Sequence, residues 1–307
     1  MVTVLQYSSC TSPAQRELIA SLAQRLARVA GVEAVVLGGS HARGQAHADS
    51  DIDLCLLYRD AAPLAVAELS ALASEVNDHA SPVVTGLYEW GPWVNGGAWL
   101  TIGGQRVDFL YRSIDHVERV IDAASRGEHA HDYGQQPPFG FYSDTYLGDV
   151  QSALALVDPA GTLEGLQRRV ATYPEPLRAV VVRDGLAATE LDLYMARVAA
   201  KRGNAYVAVA CLTRVSNRLI HVLFALNRRY FTSDKAALLD LEALEQVPAR
   251  FGTRLQACLA HAGDSPGALS ATVENVAALS RETAALGVGA FTVDDASPAW
   301  VQHLKNA

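Results

Sequence analysis

Gly38-Gly39-Ser40-His41-Ala42-Arg43-Gly44, followed by Asp49-Ser50-Asp51-Ile52-Asp53-Leu54, is the stretch that decides the fold. A short apolar run, Glu33 to Leu37, leads into it and reads as a strand ending at the two glycines. Asp51 to Tyr58 reads as the next strand. Side chains alternate along a strand, so Asp51 and Asp53 share one face while Ile52 and Leu54 bury on the other. Two carboxylates at that spacing repel each other unless a cation lies between them. Magnesium suits such a pair, because it takes a few carboxylates and completes its shell with water and phosphate oxygens. The N–H groups of the Gly39-Ser40 turn, with the Ser40 hydroxyl, are placed to hold phosphate oxygens, and glycine permits the close approach.

A third carboxylate fits the pattern. In Arg106-Val107-Asp108-Phe109-Leu110-Tyr111, the residues Val107, Phe109 and Tyr111 share one strand face and Asp108 points the other way. Beside Asp51 and Asp53 it completes a two-metal site. Alternatively it is the base that deprotonates an acceptor hydroxyl. Both roles stay open.

Working outward, Ser12, Pro13 and Gln15 open a helix expected to run to Ala30, with Leu18, Leu22, Leu26 and Val29 at helical spacing. Leu64–Val76 reads as a helix, Val83–Tyr88 and Ala98–Ile102 as strands, and Gln105–Arg112 as a strand returning through Gly103-Gly104. Ile114–Ala124 is helical, and Gly127–Gly148, rich in Gly, Pro, His and aromatics, reads as a surface loop or lid. Ala153–Val157 reads as a strand and Leu163–Val170 as a helix. From Pro174 onward only helices are expected: Glu175–Lys201, Ala205–Leu226, Lys235–Gln246, Arg250–Leu259 and Pro266–Leu286. The fold expected is therefore a mixed α/β domain, residues 1–172, followed by an all-α helical bundle, residues 173–307.

At 307 residues the chain exceeds the size of one ordinary core, so two domains are the starting expectation. Half of it is apolar and 19% is charged, which argues against extensive disorder. No apolar run reaches bilayer length and no signal peptide is evident. The four cysteines, Cys10, Cys55, Cys211 and Cys258, form no CxxC pair and read as reduced thiols of a cytoplasmic protein. With a net charge of −8 and basic residues scattered singly or in pairs, a long nucleic-acid substrate is disfavoured.

Gly39-Ser40, the Asp51-x-Asp53 pair and a later strand carboxylate together resemble the DNA polymerase beta-type nucleotidyltransferase superfamily. Within it the chain most resembles the aminoglycoside (streptomycin/spectinomycin-type) adenylyltransferases and their bacterial relatives, of which the Ser50-Asp51-Ile52-Asp53-Leu54 run is typical. Ser233-Asp234-Lys235-Ala236-Ala237 and Val247-Pro248-Ala249-Arg250-Phe251 look like the C-terminal half of those enzymes. The resemblance implies Asp51 and Asp53 as ligands of two magnesium ions, Asp108 as ligand or base, Gly39 and Ser40 as phosphate contacts, and Lys235 reaching the triphosphate from the second domain. It implies AMP transfer from ATP, or another nucleoside triphosphate, to a hydroxyl of a small molecule such as an aminoglycoside. Nucleotidylation of a protein or RNA, and a non-catalytic nucleotide-binding module, are the alternatives. Oligomeric state is not readable.

Other residues carry two readings each. Asp184, placed on a stripe of Leu177, Val180, Leu191 and Val198, is a second-domain base or an ion-pair partner. Arg214, Asn217 and His221 line a nucleotide cleft or form a solvated helix face. His129-Ala130-His131 is a metal pair or plain loop. Trp90, Trp93 and Trp99 wall an acceptor pocket or pack the core.

Overall fold

Ser12 starts the first helix in the way its neighbours dictate. Its hydroxyl accepts from the Gln15 N–H, and the Gln15 side chain returns to the Ser12 backbone, giving helix α1 (Pro13–Leu26) a complete capping box. The helix stops at Leu26 rather than Ala30, because the chain tightens into three-residue turns, Arg28 N–H to Arg25 O and Val29 N–H to Leu26 O. The computed structural model describes residues 9–287.

The order that follows is β1 (Ala34–Leu37), α2 (Gly39–Arg43), β2 (Ile52–Tyr58), α3 (Val66–Val76), β3 (Gly97–Ile102), β4 (Gln105–Ser113), α4 (Ile114–Ser125), β5 (His131–Asp132), β6 (Phe141–Tyr142), α5 (Thr145–Ser152), β7 (Leu154–Val157) and α6 (Thr162–Val170). Five strands form one sheet in the order β3-β4-β2-β1-β7. Only β2 and β4 run parallel; the other neighbours are antiparallel. The alternation read from sequence holds. Ile52, Leu54 and Leu56 of β2 and Val107, Phe109 and Tyr111 of β4 are fully buried, in one core with Ile19, Leu22 and Leu26 of α1 and Leu69 and Ala73 of α3. Each of the larger aliphatic and Phe side chains among them contributes about 1.5–3 kcal/mol by leaving water. The opposite face is thereby left to Asp53, Cys55, Asp108 and Arg112.

Two segments depart from expectation. The strand expected over Val83–Tyr88 is absent apart from one bridge, Val84 with Ala98. Ser81 and Tyr88 adopt positive φ, and neither end can join a ladder. The loop expected over Gly127–Gly148 contains the β5–β6 pair and the buried first half of α5, Thr145 to Gly148, with Tyr146 and Leu147 packed inward.

The helical region comprises α7 (Glu175–Lys201), α8 (Ala205–Leu226), α9 (Ala237–Glu242), α10 (Phe251–Ala260) and α11 (Pro266–Leu286). Asn204 caps α8 by accepting from the Val207 N–H. A methyl group on Gly185 of α7 would come within 2.6 Å of Val222, so glycine lets α7 and α8 approach closely. By length and composition α8 could cross a bilayer, the one helix of that kind among the described residues. Here it buries Leu212, Val215, Leu219 and Val222 and packs against α7 and α11. By internal packing, one unit takes the described residues up to Asp122 together with His131–Thr172. The other takes Ala123–Ala130 and the described residues from Tyr173 on. Gly127 of that short segment lies against the Pro176 backbone.

Candidate functional site

The chain leaves β1 at Gly38, whose N–H donates to the Asp53 carbonyl at 2.9 Å and ties the glycine turn to β2. Gly39 has φ +60, and a Cβ built on it would lie 1.7 Å from Asp53 Oδ2. The Asp53 carboxylate therefore rests directly on the turn's backbone, and only glycine fits there. The parallel register sets Asp53 beside Asp108, and β3 sets Trp99 on the other side of Asp108. Burial, then the negative charges of Asp149 and Asp51, push the Asp53 carboxyl up to about 6; Arg43 and Arg112 oppose the rise.

Asp51 precedes β2 and lies 2.6 Å from Arg106 Nε. Its Oδ1 is enclosed and makes no aligned hydrogen bond, so this pair is a charge contact rather than a directed one. Among the described residues, no three His, Cys, Asp or Glu side chains are gathered as a metal cluster. The Asp51–Asp53–Asp108 triad expected from sequence is thus not assembled as a three-ligand site. Arg106 neutralises Asp51 from the side, and the register brings only Asp53 and Asp108 abreast. The donor chemistry still fits a divalent cation. The donors are hard carboxylate oxygens, one of them enclosed beside a guanidinium and another left costly to ionise.

The structure adds residues that the sequence reading missed. Arg112, on the same face of β4 as Asp108, is buried. It pairs with Asp149 of α5 at 3.6 Å, donates to the Tyr111 carbonyl at 3.1 Å, and sits 5.4 Å from the Tyr146 ring centroid. Burial raises the Asp149 carboxyl above its ordinary range despite Arg112 and Arg43. Cys55, between Asp53 and these groups, is pushed up to about 12 by burial and is a neutral thiol.

The three tryptophans divide. Trp90 stacks on Trp99 with centroids 4.6 Å apart, and Gly97 leaves room for the Trp90 ring, which a Cβ would meet at 3.1 Å. Trp99 stays 69% exposed on the edge strand, on the face that carries Asp108. Trp93 is structural, packed among His116, Phe141 and Tyr146. His131 stacks on Tyr142 at 4.0 Å and bonds the Phe139 carbonyl through Nε2, and no group of three or more possible metal ligands includes it among the described residues.

In the helical unit several expectations are corrected. Lys235 is exposed in a turn and not in a helix; α9 begins at Ala237. Ser233 makes that turn, its hydroxyl accepting from the Lys235 N–H at 3.2 Å and its carbonyl from the Ala236 N–H. Asp184 is exposed and pairs with Arg183 at 2.7 Å, and Leu191 is exposed too. The apolar stripe of α7 follows Leu177, Val181, Leu193, Ala196 and Ala200, and its buried carboxylate is Asp192. Asp192 pairs with Arg218 at 2.9 Å and Arg214 at 3.4 Å. Asn217 and His221 are buried, His221 with its ring 4.1 Å from Phe231, so neither belongs to a solvated face.

Residues 16–127 match the family model of a nucleotidyltransferase domain. Residues 142–235 match a domain of unknown function, DUF4037. No curated protein matches the chain. A solved nucleotidyltransferase-like protein from Exiguobacterium sibiricum is 11% identical, with a TM-score of 0.43 over 89% of this chain and 76% of that one. The α/β unit, with its five-stranded sheet, thus carries a nucleotidyltransferase domain, followed by a helical region.

Proposed function

We propose that the protein transfers AMP from ATP to a hydroxyl group of a small molecule, an aminoglycoside-like compound being the class favoured by the carboxylate-lined face. The observation that carries this is the Asp53 carboxylate lying on the Gly39 backbone, with Asp108 abreast of it and Asp51 at the strand's start. The Gly39-Ser40 turn would hold phosphate oxygens through backbone N–H groups and the Ser40 hydroxyl. Asp51 and Asp53 would hold magnesium once Arg106 yields Asp51, and Asp108 is a further ligand or the base. Bound there, magnesium supplies the positive charge that the triphosphate and leaving pyrophosphate require.

The acceptor hydroxyl oxygen attacks the α-phosphorus, the bond to the β-phosphate oxygen breaks, and pyrophosphate leaves with its electron pair. Asp108, as base, takes the hydroxyl proton. Trp99, open beside Asp108, fits the acceptor side. Lys235 is the phosphate contact that the sequence resemblance implies for the helical unit. The four free cysteines accord with a cytoplasmic setting, which is part of the same proposal. Pyrophosphate release from ATP and magnesium across an acceptor panel tests the reading. Release by the wild-type protein, lost in Asp53→Asn, is the expected result; equal release by both refutes the site.

A further inference from the structure

A polar ring beneath the glycine turn has no role in the reading above. His41 follows Ser40 directly and is 0% exposed, and Thr11 is 1% exposed. His41 Nδ1 and Thr11 Oγ1 lie 2.9 Å apart in a hydrogen bond whose donor depends on the tautomer. His41 Nε2 is enclosed without an aligned partner, toward the backbone of Ser50, the residue before Asp51. The Ser50 carbonyl accepts from Gln105 Nε2 at 2.9 Å, and Gln105 Oε1 accepts from Gln15 Nε2 at 2.9 Å. Gln15 is the capping-box partner of Ser12, which adjoins Thr11, and Arg16 Nε donates to the Thr11 carbonyl at 3.0 Å.

Four pieces of chain therefore meet: the start of α1, the turn at α2, the loop entering β2, and the start of β4. Enclosing an imidazole is costly unless its nitrogens find partners, and an apolar residue would fill the same space without that cost. What the polar ring adds is direction. Gly38 N–H to Asp53 O fixes the second carboxylate to the turn. Asp51 lies before that strand, and its side chain meets the exposed Arg106, whose Nη2 donates to the Asp49 carbonyl at 2.7 Å.

We propose that Thr11, His41 and Gln105 are positioning residues that lock Asp51 to the Ser40 turn, so that one magnesium–nucleotide complex spans both. The claim rests on the transfer reading for its ligand. The lock itself is a property of the ligand-free chain. Burial holds the His41 pKa below its ordinary value, so the ring is neutral and adds no charge to the turn.

The test uses Thr11→Val and Gln105→Met, which remove hydrogen bonds with little change in volume, alongside His41→Ala and His41→Asn. Calorimetry with magnesium and α,β-methylene-ATP should show about tenfold weaker binding for Thr11→Val and Gln105→Met, the scale for losing an outer-shell support. His41→Asn, which keeps a partner for Thr11, should recover most of the loss seen in His41→Ala. Hydrogen exchange of the nucleotide-free protein should quicken over residues 38–53 and stay unchanged in α7 and α8. Wild-type affinity and exchange in both Thr11→Val and Gln105→Met overturn the proposal. If the wild-type protein binds no nucleotide, the transfer reading fails instead, and the exchange over residues 38–53 still decides whether the ring locks the turn.

Discussion

Replacing Asp53 with Asn should make the metal-free protein more stable while destroying its activity. The Asp53 carboxyl stands at about 6 in the folded chain, raised from an ordinary 3.8 by burial and by Asp149 and Asp51. A folded pKa above the unfolded one means that the native state binds the proton more readily. Ionised Asp53 is therefore a burden at neutral pH, relieved as pH falls from about 7 towards 4. A rise of about two units corresponds to roughly 3 kcal/mol, and solvent screening at a half-buried group reduces the expected gain to about 1–2 kcal/mol. Asn keeps the shape and cannot ionise, so Asp53→Asn should recover that amount at pH 7.5.

The assay is urea unfolding of both proteins in EDTA at several values between pH 4.5 and 8. Their difference isolates Asp53 from every other titrating group. The gap should favour the mutant at pH 7.5 and close towards pH 4.5. Added magnesium should then stabilise the wild-type protein by mass action and leave Asp53→Asn unmoved. A mutant less stable than wild type at pH 7.5, or a gap independent of pH, refutes the argument that crowded carboxylates await a cation.

Gly39→Ala should abolish transfer and cost at least about 1 kcal/mol, because its φ of +60 penalises any side chain and its Cβ meets Asp53; a folded, active variant by circular dichroism and turnover would disprove the close approach. Arg112→Met should destabilise by about 1–3 kcal/mol, since Asp149 loses its buried partner, and adding Asp149→Asn should return part of the loss in a urea double-mutant cycle. Trp99→Ala should cost at most about 0.5–1.5 kcal/mol of stability, the worth of its stack on Trp90, and weaken acceptor binding by roughly 1–2 kcal/mol, read as a higher acceptor KM with unchanged nucleotide affinity. Lys235→Ala should weaken ATP binding by about 1–3 kcal/mol in calorimetry if that exposed lysine contacts phosphate.

Which parts of this protein were legible follows from the range of the forces involved. Period-two alternation is local, so β2 and β4 could be read with their buried and site-facing residues correctly sorted, and with them Asp53 and Asp108 on one face. Helix phase over a long segment is less secure. Several residues of α7 are half-buried, and a stripe drawn through Val180 and Leu191 selected Asp184 over the buried Asp192. Asp149 and Arg112 were hidden for a different reason. Gly148 looked like the end of a loop, yet it is a buried interior residue of α5, where the lack of a side chain eases packing. Nothing within ten residues of Arg112 identifies a carboxylate partner 37 positions away. The sequence shows which carboxylates share a strand face. Only the three-dimensional packing shows that burial, with Asp149 and Asp51, raises the Asp53 carboxyl against Arg43 and Arg112, and that burial leaves Asp149 raised as well.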